Sequence, residues 1–75
     1  MPCISPDGKP TSSGIILLKT LRKGGLSPEE AVGLSGLSLP RVRSGLREMK
    51  EVGYVIEVDG KYELSKTGTE IIEGS

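Results

Sequence analysis

Two helix signals stand almost end to end in the middle of this chain, and the shortness of the gap between them limits the fold more than any other feature. Ser27-Pro28-Glu29-Glu30 reads as a helix start: Ser27 is placed to cap, Pro28 suits the first helical position, and Glu30 completes a capping box. Ala31, Val32 and Leu34 follow, and Gly36 supplies a stop. Two or three residues later Ser38 or Leu39 opens a second helix, with Pro40 in its first turn, that runs to Val52 and breaks at Gly53. Leu39, Val42, Leu46 and Met49 form one apolar stripe along it. Helices joined by so tight a turn cross steeply, so the longer keeps a face its partner cannot cover.

The flanks add one element before this pair and three after it. Thr11, Ser12 or Ser13 caps a first helix to about Lys23, with Leu17, Leu18 and Leu21 inward and Gly24-Gly25 as its end. After Gly53 the period changes. Tyr54-Val55-Ile56-Glu57-Val58 and Lys61-Tyr62-Glu63-Leu64 flank Asp59-Gly60, a favoured type I′ hairpin loop. That loop pairs Val58 with Lys61, Glu57 with Tyr62, Ile56 with Glu63 and Val55 with Leu64. Ser65 caps a last short helix reaching about Glu73. Residues 1–11, with the turn-forming Ser5-Pro6-Asp7-Gly8, read as an irregular arm, and residues 12–75 as one domain. A chain of 75 residues has room for one core.

The sequence resembles the winged helix-turn-helix family of small transcription regulators, in the style of the MarR and ArsR groups. The likeness rests on Leu17-Leu18-Lys19-Thr20-Leu21, Ser27-Pro28-Glu29-Glu30-Ala31, Gly36-Leu37-Ser38 and Val42-Arg43-Ser44-Gly45-Leu46-Arg47-Glu48-Met49. It continues through Val52-Gly53-Tyr54-Val55-Ile56 and Asp59-Gly60-Lys61-Tyr62-Glu63-Leu64-Ser65 to Gly68, so it spans roughly residues 14–73. It implies a mainly α fold with a small β-hairpin: three helices, a wing and a short C-terminal helix. It also implies double-stranded DNA as partner and regulation of transcription as the use.

Composition narrows the alternatives. The longest apolar run is Ile15-Ile16-Leu17-Leu18, far below the ~20 residues that cross a bilayer. No basic and apolar leader opens the chain, so a cytoplasmic location is expected. One cysteine and no histidine leave little for a disulfide framework, a metal site or histidine-based catalysis. The expectation is a binding domain without cofactor or metal, and not an enzyme. With no Phe or Trp, a compact aliphatic core is expected rather than a roomy ligand cavity.

The balance of ten basic and ten acidic residues conceals segregation. Segments 1–25 and 37–50 are basic, whereas 51–64 is acidic. With Val42 inward, Arg43 points about 100° away, Arg47 about 140° away on the same flank, and Lys50 extends that stripe. Pro40 and Ser44 also lie outward, and Arg41 leans to the other flank. Guanidinium forks suit guanine edges and phosphates, and a small Ser44 permits close approach to a major groove about 12 Å wide. Arg43 and Arg47 are therefore the expected readers of bases or phosphates, assisted by Arg41 and Ser44. Ser38 at the helix start, Lys50 and Lys61 would hold the backbone. The bland reading is a solvated basic face, and Glu48 and Glu51 weigh on that side. Gly45 reads as a site of close helix packing.

The hairpin departs from a basic wing, because Lys61 stands among Glu57, Asp59 and Glu63. Its contact with DNA is expected to be weak, so a symmetric pair of domains would be needed for tight binding. With Val55 and Leu64 inward, Ile56 and Val58 face outward, and either Ile71 or Ile72 does too. Ile56, Val58 and Ile72 are thus candidates for a homodimer or partner-protein surface, the rival use of the fold, with cover by Ile4 from the arm as the alternative. Gly33-Leu34-Ser35-Gly36 matches a G-x-x-G loop but lacks basic charge, Glu29-Glu30 is explained by the helix dipole, and Cys3 in the arm reads as incidental.

Overall fold

A computed structural model describes residues 3–74; residues 1, 2 and 75 of the expected arm and domain lie outside them. Helix α1 spans Ser12–Thr20 and tightens into a 3-10 turn at Leu21–Lys23. Helix α2 spans Pro28–Ser35 and α3 Leu39–Glu51. Strands β1 (Val55–Val58) and β2 (Lys61–Leu64) form the hairpin, and α4 covers Lys66–Glu73. This is a winged helix: α1, α2 and α3 pack mutually, α4 lies against α1 and β2, and the hairpin follows α3.

Local chemistry explains the boundaries. Thr11 caps α1, the reciprocal Ser27–Glu30 capping box opens α2, and Ser65 caps α4. The chain leaves α2 through Gly36 in the left-handed region at φ 77°, which lets α3 begin three residues later. Asp59 and Gly60 both have positive φ, 51° and 78°, as a type I′ loop requires. The strand register is the one the two-residue loop dictates, from Val55 opposite Leu64 to Val58 opposite Lys61.

Leu17, Leu18, Leu21, Ala31, Val42, Leu46, Met49, Val55 and Ile72 form the buried core together with Cys3. Two features differ from the sequence expectation. Leu26, in the loop before α2, pairs with Tyr62 through two backbone hydrogen bonds of 3.0 and 2.7 Å, giving β2 a second neighbour. The described part of the arm is folded onto the domain. The Cys3 carbonyl accepts from Thr11 N–H at 2.8 Å, Ile4 bridges Pro10, and the Tyr54 hydroxyl donates to the Gly8 carbonyl at 2.6 Å. The Cys3 side chain fills a gap left by Gly45, where a Cβ would stand 2.5 Å from its Sγ and 2.7 Å from Leu17 Cδ1. Cys3 is therefore a core residue rather than an incidental one. Ile4 packs against the same core.

Candidate functional site

Helix α3 owes its orientation to its apolar stripe. Val42, Leu46 and Met49 are fully buried against α1, α2 and the hairpin, and Gly45 lets α3 approach Leu17 and Cys3 closely. The opposite side is thereby presented to solvent. Pro40, Arg43, Ser44, Arg47 and Lys50 are exposed there, and Arg41, on the flank, is half-buried. Ser38 stands at the N-cap with its side chain making no capping hydrogen bond, so its hydroxyl is not spent on α3. One continuous helical face thus carries two guanidinium groups and an ammonium around a small serine.

Two of these three cations are held by carboxylates from flanking elements. Arg43 Nη2 donates to Glu29 Oε2 of α2 at 3.2 Å, and Lys50 Nζ donates to Glu57 Oε1 of β1 at 2.8 Å. Both pairs are solvent-exposed; the Arg43 and Glu29 side chains keep 59% and 62% of their accessible surface. Exposed pairs of this kind are screened by solvent and contribute little net stability, so they orient the side chains without locking them. Arg47, between them on the helix, is in no ion pair among the described residues. The Glu29 carboxyl is held below its ordinary range by its own backbone N–H in the first turn of α2 and then by Arg43. Hydrogen bonding to Glu57 holds the Lys50 ammonium above the ordinary lysine range.

Glu29 is the residue that sequence reading misses, because the helix dipole alone accounts for a carboxylate at that position. A carboxylate in the first turn of α2 and an arginine 14 positions on meet only because of the crossing of α2 and α3. No periodicity within either segment reports that crossing.

The wing carries its charges as the alternation implies. Lys61 is exposed beside the Gly60 turn, near enough to Glu30 to help depress that carboxyl. Ile56 and Val58 remain 48% and 44% exposed, whereas Ile4 packs against the buried core. Ile72, in contrast, is buried in the core at 3% exposure and is removed from the candidate interface. Adjacent isoleucines on α4 diverge by about 100°, and packing against α1 and β2 selects Ile72 for the interior while Ile71 stays at the margin. An open surface cleft of about 400 Å³ lies between the 3-10 turn, β2 and α4, lined by Leu21, Arg22, Glu63 and Thr69 among others. Among the described residues no group of His, Cys, Asp or Glu side chains is arranged to hold a metal, and no helix is long and apolar enough to cross a membrane.

No family model and no curated relative matches the chain. Among the solved structures similar to it are the following two. BpsR of Bordetella bronchiseptica, whose DNA binding is regulated by 6-hydroxynicotinic acid, superposes with a TM-score of 0.81 at 23% identity, over 92% of this chain and 54% of that one. CalO1, a methyltransferase of calicheamicin biosynthesis in its SAH-bound form, superposes with a TM-score of 0.71 at 23% identity, over 85% of this chain and 19% of that one. The chain thus spans about half of the first protein and a fifth of the second. What is common to all three is the winged-helix unit.

Proposed function

We propose that this chain is a winged-helix DNA-binding domain of a transcription regulator, placing α3 in the major groove of duplex DNA. The observation that carries the reading is the outward face of α3, where Arg43, Ser44 and Arg47 stand exposed opposite a stripe that is fully buried. In this reading Arg43 and Arg47 meet base edges or phosphates, with Arg41 and Ser44 beside them. Ser38, Pro40, Lys50 and Lys61 line the approach of the backbone. The fold shared with BpsR, a protein with regulated DNA binding, favours this use over catalysis. The acidic wing limits what one copy can hold, so binding as a pair of domains one helical turn of DNA apart belongs to the same proposal.

Binding to a mixed-sequence duplex, followed by fluorescence anisotropy across a salt series, tests it. Affinity should fall steeply with salt. Arg43→Ala combined with Arg47→Ala should weaken binding by about tenfold or more and reduce the log–log salt slope by up to about two. A domain with no affinity for DNA at low salt, or one indifferent to both substitutions, defeats the proposal. A second reading, a protein-interaction module, draws on the exposure of Ile56 and Val58 above an acidic rim. Its signature would be an absence of DNA binding together with self-association or partner capture abolished by Ile56→Asp.

A further inference from the structure

Both ion pairs found among the described residues fall on the outward face of α3, although basic side chains are spread over the whole molecule. One carboxylate reaches in from α2 and the other from β1, so the face is neutralised from both flanks while Arg47 between them is left uncommitted. The donors used are Arg43 Nη2 and Lys50 Nζ, groups that would otherwise meet phosphate oxygens. A phosphate and a carboxylate compete for the same N–H groups, and a carboxylate left beside the DNA backbone also repels it.

Resting on the DNA-binding reading above, we propose that Glu29 and Glu57 are affinity- and selectivity-setting residues: intramolecular stand-ins for phosphate that occupy Arg43 and Lys50 until duplex DNA displaces them. Arg47 makes the first contact, because it is the cation on this face with no partner to give up. Recruitment of Arg43 and Lys50 requires exchange of a carboxylate for a phosphate or base edge, which little-fitting DNA does not repay. The pairs are suited to exchange because they are exposed and weak. Their removal therefore raises general affinity and lowers discrimination between sequences.

The test is a set of charge-neutralising variants assayed at about 0.15 M salt, where screening over about 8 Å confines electrostatic effects to near neighbours. Glu29→Gln and Glu57→Gln should each tighten binding to mixed-sequence duplex about three- to fivefold, with the double variant about tenfold or more tighter, as loss of weak exposed pairs and of local repulsion implies. Glu70→Gln makes the same change in net charge on α4, which packs on α1 and β2, and should alter affinity less than twofold. In a selection from randomised duplexes, the double variant should enrich a less restricted set of sequences than the unaltered domain. Tightening equal to that of Glu70→Gln, or none, overturns the inference while leaving the DNA-binding reading intact. Failure of both the unaltered domain and the double variant to bind at low salt removes the two together. Binding by the double variant alone would also overturn the inference, because carboxylates that duplex DNA cannot displace are not exchangeable stand-ins for phosphate.

Discussion

Gly45 and Cys3 show how a single missing Cβ can set the position of a whole helix. A glycine inside a helix costs about 1 kcal/mol relative to alanine, yet here the space it leaves is filled by the Cys3 sulfur and a Leu17 methyl. Gly45→Ala should therefore destabilise the fold despite its better helix propensity, by about 1–3 kcal/mol from overpacking, read in chemical denaturation. Cys3→Ala removes one of the two atoms in the way. The double variant should lose less than the sum of the single losses, whereas strict additivity would mean that the two residues do not compete for space. Burial, with Glu48 nearby, pushes the Cys3 thiol above its ordinary value, in keeping with a packing role. That α3 needs a close neighbour at Gly45 is readable in the sequence. The identity of that neighbour is not, because a cysteine 42 positions upstream in a proline-flanked arm has no period linking it to α3. Ile71 and Ile72 present a similar limit: adjacent residues on a short helix differ by one step of rotation, and only the packing partner decides which one turns inward.

Elements whose ends are written in local chemistry are the ones most legible in the chain. The stripe of α3, the capping box of α2 and the register of the hairpin all follow from spacing within a dozen residues, and each appears as the spacing dictates. The Leu26–Tyr62 pairing is different: one residue of strand has neither alternation nor length, and its partner lies 36 positions away. The Arg43–Glu29 pair shares that character, being a product of how α2 crosses α3. The capping box also makes a prediction about acid. Its Glu30 carboxyl is depressed chiefly by the Ser27 N–H, with a bond of 2.9 Å, and secondarily by Lys61. A carboxyl with a lower value folded than unfolded contributes stability that is complete above the ordinary value of 4.5 and fades as pH falls through the depressed one. Glu30→Gln should therefore lower thermal stability at neutral pH, where the charged cap contributes, and flatten its loss on acidification below about pH 4.5, so that the two proteins converge in acid. An acid limb identical in the two proteins would assign the pH dependence to other carboxyls, such as Asp7 or Glu29, which are depressed as well.

At the scale of the whole molecule, the arm decides how much chain the domain needs. Residues 12–75 contain every element of the winged helix, and the resemblance to regulators begins only at about residue 14, so the sequence marks residues 1–11 as an irregular arm and leaves its role open. The geometry argues for including the arm in the folding unit. Cys3 and Ile4 contribute apolar surface to the core, the Thr11 N–H that enters α1 donates to the Cys3 carbonyl, and Tyr54 at the root of the hairpin donates to Gly8. These contacts join the middle of α3, at Gly45, and the turn that follows it, at Tyr54, to a segment that lies outside the helices and strands. Removing residues 1–10, with the Thr11 cap retained, should expose the gap beside Gly45 and Leu17. The midpoint of thermal unfolding should fall by roughly 5–15 °C, as loss of one or two buried side chains does in a domain of this size. On the proposed DNA-binding function, the shortened chain well below that midpoint should bind duplex DNA as the full chain does, because the arm supplies packing to the inner side of α3 and none of its outward cations. An unchanged midpoint would reduce the arm to an adhering tail. A lost affinity at full folding would place it in contact with the DNA.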